Sequence, residues 1–367
     1  MTVELSVTAR PGGRSASVDE LKGLAIFLVL VYHCGGLLGF GNWSQGQAGV
    51  DIFLALSGLG LAWSLRDEGA GAFLVRRLAA LMPRYWAALA VLTVLNAWVL
   101  GHRESAWDVG VHALALQVVV TDSFYAVNGS LWFMGMIVPL YGAAAALRPW
   151  LRDGRADRVV VAGLALAVVC HLLSTLAGSD GDILVPTVVV RIPEFFLGLA
   201  AGCLLRRGSG DTTLWTPPLG WAVLLYGLYA AAVDPRLLTT SSIAFGPVWA
   251  AWYLLATAAP WAPVRRLRRA AGWFGAISFE FYLYHQPFVV EYNRHLCYQL
   301  NHGAAPTTIQ LLPGIAIGVA LTLGACLLVR ALGPRLLPAR LGPGGRLALS
   351  AGAMALVWIG VVALAPG

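Results

Sequence analysis

Lys22 and His33 lie eleven residues apart in the first apolar run of the sequence. On an α-helix this spacing is three turns plus about 20°, so both side chains would project from one face, with a rise of about 16 Å between them. If the run crosses a membrane, ionisable residues within it are costly and become functional candidates. Each residue alone has a simpler interpretation, as a snorkelling lysine or as a polar contact between helices. Together they indicate a cationic mouth with a proton-handling group below it.

His285 occupies a matching place in a later apolar run. Counted from Trp273, it lies about 18 Å along a helix, which is nearly the depth of His33 counted from Leu21. Two histidines at matched depth in separate runs are harder to explain as packing residues than either one alone. We therefore expect both to take part in one site.

Further polar residues interrupt other apolar runs. Asp51 lies near the outer end of the second run, where an interfacial position is the simpler interpretation, and Gly58 and Gly60 could serve close helix packing. Arg191 and Glu194 stand three residues apart, on adjacent positions of a helix, so an internal ion pair is their simpler interpretation. We keep Asp51, Arg191 and Glu194 as site candidates because their cost in a membrane needs a reason.

The composition supplies the elements that must hold these residues. Of the 367 residues, 58% are apolar and 12% are charged, and the mean hydropathy is +0.73. Soluble domains carry about twice this charged fraction, and disordered chains show the opposite bias. The net charge of +7 is explained by arginines in cytoplasmic loops, so it requires no nucleic acid. The five cysteines have neither a CxxC pair nor metal-ligand spacing, so we expect no disulfide framework and no metal.

The sequence predicts an all-α fold, a polytopic transmembrane helix bundle of about eleven spans (ten to twelve). The run 109–121 is short for a span, and excluding it puts nearly every loop arginine on one side. The first run is too long for a cleavable signal. We expect a cytoplasmic tail over 1–16, one membrane domain over 17–367, and a cytoplasmic N-terminus in the inner membrane. The apolar runs are 21–40, 47–65, 82–101, 109–121, 130–149, 159–177, 185–205, 217–233, 242–261, 273–291, 308–330 and 347–365.

Five strings between about residues 17 and 330 resemble, in order and spacing, those of the membrane acyltransferase-3 family. Lys22 through His33 matches its R/K-x10-H element, and Gly49–Gly58 (GVDIFLALSG) is similar to its GVDxFFxxSGF string. Phe73–Trp86 resembles its RRxxRxxPxYW loop, Arg191–Gly198 its RxxxFxxG segment, and Ile277–Pro287 its SYxxYLxHxP string. Each string is weak alone, but five in order are a strong signal.

Two departures bear on the site. The second arginine of the family's loop falls on Ala80, for which Arg84 is the candidate substitute. The family's WTLxxE string is reduced to Trp132-Phe133-Met134, without its glutamate. These departures affect donor binding and the acceptor site.

The resemblance implies transfer of an acyl group, commonly acetyl, from cytoplasmic acyl-CoA to a hydroxyl of a glycan, lipid-linked sugar or secondary metabolite. His33 would act as general base or as an acylated nucleophile, and both alternatives stay open. Asp51 or His285 could orient it or stabilise charge. The residues expected to bind acyl-CoA are Lys22, Arg76, Arg77, Ser57 and Tyr282. The residues expected to bind the acceptor are Trp132, Glu194 and Arg191.

A second class of function fits the same composition. In a transporter or flippase, buried His, Glu and Arg would form a proton relay. The ordered strings favour the enzyme, and we see no two halves of broken spans that would indicate a repeat-built transporter. The acceptor and the oligomeric state are not determined by these patterns.

Overall fold

The computed structural model describes residues 16–40, 48–178, 188–207, 217–233, 262–336 and 341–364. The apolar run 242–261 lies outside these residues, as does the expected N-terminal tail up to residue 15. The helices are α1 Ala16–Leu37, α2 Ala48–Trp63, α3 Ala70–Leu95, α4 Ala106–Ala113, α5 Trp132–Ala146, α6 Arg148–Arg152, α7 Ala156–Leu176, α8 Ile192–Arg207, α9 Pro217–Val233, α10 Ala262–Ala276, α11 Ser278–Gln286, α12 Tyr292–Leu300, α13 Thr308–Leu336 and α14 Pro343–Leu364.

The fold is a helical membrane bundle, as predicted, and the described residues contain no strand. Five described helical segments are long and apolar enough to cross a bilayer, and α2 is a shorter apolar helix. The exact number of spans stays a prediction. The five segments are Ala16–Leu37, Ala70–Leu100, Gly129–Ala146, Ala156–Leu176 and Thr308–Gly333.

Glycines bring the backbones of α2 and α8 into direct contact. A Cβ on Gly58 would lie 2.1 Å from the Phe195 carbonyl oxygen, and one on Gly198 would lie 1.9 Å from the Ala55 carbonyl oxygen. Small residues allow such close approach in membranes, where dispersion contacts hold helices together. The close-packing interpretation is right for Gly58, whereas a Cβ on Gly60 would meet no atom within 4 Å.

A second glycine seam joins α1 to α10. A Cβ on Gly23 would lie 2.0 Å from the Ala271 carbonyl oxygen. Glu20 pairs with Arg268 near one end of this seam. After a break at Ile277 the chain continues as α11, whose His285 meets His33. The two elements therefore run side by side in the same direction.

Hydrogen bonds gather three connecting segments at one end of the bundle. Arg148 and Arg152 both donate to the carbonyl oxygen of Arg66, at 2.9 Å and 3.0 Å. Arg206 donates to the carbonyl oxygen of Ala62 at 3.1 Å. The loop after α2, the segment after α5 and the end of α8 therefore share one end.

The region 109–121 is not a continuous helix. Helix α4 ends at Ala113, and turns follow, with Ala115 in the left-handed region at φ 55°. Eight helical residues extend about 12 Å, far less than the roughly 30 Å of a bilayer core. This geometry supports the prediction that 109–121 does not cross.

Candidate active site

A cavity of about 260 Å³ lies among α1, α2, α3, α5 and the α10–α11 junction. Its walls include Lys22, Ser57, Arg77 and Tyr282, which are four of the five residues expected to bind the donor. They come from four different helices, so only tertiary packing brings them together. The cavity pairs a cationic wall with aromatic side chains, a surface suited to an anionic ligand with an apolar arm.

Arg76 does not belong to the described walls of this cavity. Its guanidinium is bound to the Glu68 carboxylate, and it donates to the Ser64 carbonyl oxygen at 3.2 Å. The hydrogen bond from Arg76 holds the pKa of Glu68 below its usual range. The structure thus separates the neighbouring arginines: Arg77 faces the cavity and Arg76 ties α3 to the loop before it.

Arg84 lines the cavity one helical turn beyond Ala80, which lines it too. It donates to Glu280 at 2.7 Å and to the Ala80 carbonyl oxygen at 2.6 Å, and its guanidinium carbon lies 4.8 Å from the centre of the Phe279 ring. Arg84 therefore lies on the cavity side of α3, where a residue that replaces the arginine missing at Ala80 would have to lie. Sequence reasoning assigned no role to Glu280. Its position as an ionisable residue within an apolar run was the signal that could have identified it as a site residue.

The two histidines at matched depth are in contact. The ring centres of His33 and His285 are 4.9 Å apart, with the half-buried His33 also edge-on to Tyr32 at 5.1 Å. His285 is fully buried, and its Nδ1 lies 2.8 Å from the carbonyl oxygen of Tyr282. A carbonyl oxygen only accepts, so Nδ1 carries the hydrogen and the neutral ring leaves Nε2 with a lone pair. That Nε2 is buried without a hydrogen-bond partner among the described residues.

Asp51 and Arg191 form an ion pair between helices. Arg191 Nε lies 3.0 Å from Asp51 Oδ1, and both residues are buried. Arg191 also lies over Trp132, with its guanidinium carbon 5.8 Å from the ring centre. Glu194, three residues after Arg191 in the first turn of α8, is also buried. The partner that the structure gives Arg191 is thus Asp51, 140 positions away in the sequence. This ion pair comes in addition to any contact between Arg191 and its neighbour Glu194.

An aromatic path joins this ion pair to the cavity. Phe133, next to Trp132, has its ring centre 5.3 Å from that of Tyr282. The Tyr282 ring centre in turn lies 5.6 Å from that of His285. The expected acceptor residue Trp132 and the expected catalytic histidine are therefore connected through two rings.

Sequence reasoning missed a polar network beside the histidines. Tyr282 donates to the carbonyl oxygen of Ser130, the Ser130 hydroxyl donates to Gln286, and Gln286 donates to Glu291 at 3.3 Å. In the sequence, only the position of Gln286 directly after His285 indicated that it could belong to the site. The residues come from two segments more than 150 positions apart, so no local pattern links them.

Among the described residues, no three His, Cys, Asp or Glu side chains are grouped so that they could hold a metal ion. The arrangement instead combines a charged cavity, a pair of histidines and a buried ion pair within a membrane bundle. The described residues thus combine two contacting histidines with a cavity whose walls carry the cationic side chains of Lys22, Arg77 and Arg84 and the carboxylate of Glu280.

The comparisons with known proteins identify the class. The model of the Acyl_transf_3 family, described as an acyltransferase domain, matches residues 15–363. The chain belongs to this family and is a membrane acyltransferase, which decides against the transporter class. It is similar to BcsY of Komagataeibacter xylinus, a protein named as a membrane-bound transacylase, with 25% identity over 80% of this chain and 78% of that protein. No solved structure matches.

Proposed function

We propose that this protein transfers an acyl group, in the first instance acetyl, from cytoplasmic acyl-CoA to a hydroxyl of a glycan, lipid-linked sugar or secondary metabolite. The observation that carries the proposal is the cavity with Lys22, Arg77 and Arg84 in its walls, whose Tyr282 packs against His285 of the contacting histidine pair. We place the protein in the inner membrane with its N-terminus in the cytoplasm, so that the donor enters from that side.

The donor half rests on charge and shape. Lys22, Arg77 and Arg84 offer cations to the phosphates of CoA. Ser57 and Tyr282 lie deeper along the proposed path of the pantetheine arm, and His33 is about 16 Å beyond Lys22 on the same helix. The thioester would therefore reach the histidines while the charged part of CoA stays at the cytoplasmic end.

The chemical step uses one general base. His33 accepts the proton of the acceptor hydroxyl as that oxygen attacks the thioester carbon. The new C–O bond forms, the C–S bond breaks, and the proton passes from His33 to the departing CoA sulfur. His285, held through Nδ1 by the Tyr282 carbonyl oxygen, packs its ring against that of His33 and orients it. A neutral imidazole is cheaper to bury than a carboxylate, which favours this pair over Asp51 as the base.

The acceptor half rests on Trp132, Arg191 and Glu194. Trp132 offers a flat ring for a sugar face, and Arg191 fixes that ring from its other side. Asp51 holds Arg191 in place and in this proposal acts through it. The aromatic path through Phe133 to Tyr282 supports an acceptor position next to the thioester.

The test follows radiolabel from acetyl-CoA. Membranes of the source cell that contain the overproduced protein are incubated with [¹⁴C]acetyl-CoA, and label in the glycan, lipid and small-molecule fractions is measured together with free CoA. We expect label transfer matched by CoA release, both lost in His33→Ala. Two results would contradict the proposal. In one, labelled acetyl-CoA crosses the membrane of sealed vesicles and no CoA is released; in the other, the protein binds acetyl-CoA but the label stays on it.

A further inference from the structure

A second depression lies at the first turn of α1, beside the basic half of α10. It has a volume of about 510 Å³, and its walls include Arg265, Arg268, Arg269, Asp19 and Glu20. Arg265 and Arg269 are exposed and Arg268 is half-buried. The depression is therefore open to solvent and cationic on its α10 side.

The two carboxylates in this depression have cationic partners of their own. Glu20 Oε2 lies 2.9 Å from Arg268 Nε, and Asp19 Oδ1 lies 3.8 Å from Lys22 Nζ. Three arginines thus face two carboxylates, one of which is offset by a lysine outside the depression. The balance favours an anion, and the guanidinium group matches phosphate geometry through paired N–H donors.

The depression and the cavity of the candidate active site are lined by neighbouring residues of the same two elements. On α1, Asp19 and Glu20 line the depression and Lys22 lines the cavity. On α10, Gly272 lines the first and Gly275 the second, three residues or about 4.5 Å further along. Because α1 and the α10–α11 pair run in the same direction, the residues of the depression, of the cavity and of the histidine pair appear in this order along both elements.

We propose that this depression binds the phosphorylated nucleotide end of the acyl-CoA donor, an inference that rests on the proposed function. CoA carries a diphosphate and a ribose phosphate at the end opposite its thiol, so its charge is concentrated where the arginines are. Arg265 and Arg269 bind the ribose phosphate, Arg268 keeps Glu20 away from it, and the diphosphate lies at the cavity mouth by Lys22, from which the pantetheine arm enters the cavity. An anionic lipid headgroup has the same phosphate chemistry and is the competing occupant.

The test compares two doubly substituted proteins in nanodiscs. One carries Arg265→Gln and Arg269→Gln. The control carries Arg266→Gln and Arg155→Gln, two exposed arginines outside the described walls of the depression, so both proteins lose the same charge. CoA binding is measured by calorimetry, and KM is measured for acetyl-CoA and for acetyl-pantetheine, which lacks the nucleotide.

We expect the site variant to bind CoA roughly 10- to 100-fold more weakly, the loss of one or two charge-assisted hydrogen bonds. Its KM for acetyl-CoA should rise in parallel, its KM for acetyl-pantetheine should equal that of the wild type, and the control should match the wild type for both donors. Equal losses with both donors, or equal losses in both variants, would overturn the inference.

The lipid composition distinguishes the two phosphate sources. The loss should persist in nanodiscs of phosphatidylcholine alone, and a loss seen only with phosphatidylglycerol present would assign the depression to lipid instead. A wild-type protein that binds no CoA would overturn both the subsite and the proposed function. Normal CoA binding by the site variant, together with an active wild type, would overturn the subsite alone.

Discussion

His33 and His285, the two histidines to which we assign the proton transfer in the proposed function, are in ring contact. The Tyr282 carbonyl oxygen fixes the hydrogen of His285 on Nδ1, so the ring of His285 is held in one orientation. His33 is the less buried of the two and shares its helix face with Lys22. In the proposed function the less buried His33 therefore meets the substrate hydroxyl, and the fully buried His285 acts through it.

Replacement of His33 by Ala should abolish transfer while the protein remains folded in detergent. Loss of a general base costs roughly 10²- to 10⁴-fold in rate. The measurement is label transfer per mole of monodisperse protein. His171→Ala is the matched control, because His171 is a buried histidine that bonds Tyr229 at 2.7 Å in a different pair of helices. Near-normal turnover by the His33 variant would remove its catalytic assignment.

Replacement of Lys22 by Ala should mainly raise the donor KM. Lys22 lines the cavity and would meet phosphate as a point charge, so Lys22→Arg should retain part of the affinity. Titration of acetyl-CoA against both variants checks this order. If KM and maximal rate are unchanged in Lys22→Ala, Lys22 lies outside the donor site.

At the scale of the elements, two glycine seams set the distances within the site. One joins α2 to α8 and so brings Asp51 to Arg191. The other joins α1 to α10 and so aligns His33 with α11. In each seam backbone meets backbone, so a side chain cannot be added without moving a whole helix.

Gly198→Ala should destabilise the protein by roughly 1–3 kcal/mol, as overpacking does. Its new Cβ would lie 1.9 Å from the Ala55 carbonyl oxygen, and backbone cannot rotate away as a side chain can. Gly60→Ala is the matched control on the partner helix, because its Cβ would meet nothing within 4 Å. Thermal unfolding in detergent measures both changes. Equal midpoints for the two variants would show that the seam does not set helix spacing.

At the scale of the whole molecule, the bundle has two chemically different ends. At one end Arg148 and Arg152 donate to the carbonyl oxygen of Arg66, and Arg206 donates to that of Ala62 in the last turn of α2, so four arginines gather there. Such clustering of arginines is typical of the cytoplasmic side. At the other end Tyr292 donates to Asn96, which donates to Glu104 at 2.9 Å.

Engineered cysteines should label on one side only. We expect an impermeant thiol reagent on intact cells to label Ala304→Cys and not Asp153→Cys, after Cys297 is replaced by Ser. Gly154 and Gly303 are avoided because both have left-handed φ angles, 63° and 85°, that a cysteine would strain. Reversed labelling would contradict the proposed topology, because it would mean either that the whole bundle is inverted or that 109–121 crosses the membrane and reverses every segment after it. Asp67→Cys, which precedes 109–121, separates the two cases, since only an inverted bundle would label it.

The sequence by itself determined the membrane class, the helical bundle and the family. These depend on composition and on short-range spacing, which act within one helix. The matched depth of His33 and His285 could be read in the same way, because helix rise is constant. The five expected donor residues could be named because they lie on the strings that resemble the family, although only the packing of four helices brings four of them into one cavity.

Only the tertiary structure decided which side chains face each other. It turned Arg77 into the cavity and Arg76 toward Glu68, although the two are adjacent in sequence. It paired Asp51 with Arg191 and joined Ser130 to Gln286 across more than 130 positions. Such contacts depend on the rotation of each helix about its axis and on the glycine seams that set the spacing between helices. The pattern within a single helix encodes neither this rotation nor this spacing, because both are set by the lowest-energy packing of two helix surfaces against each other.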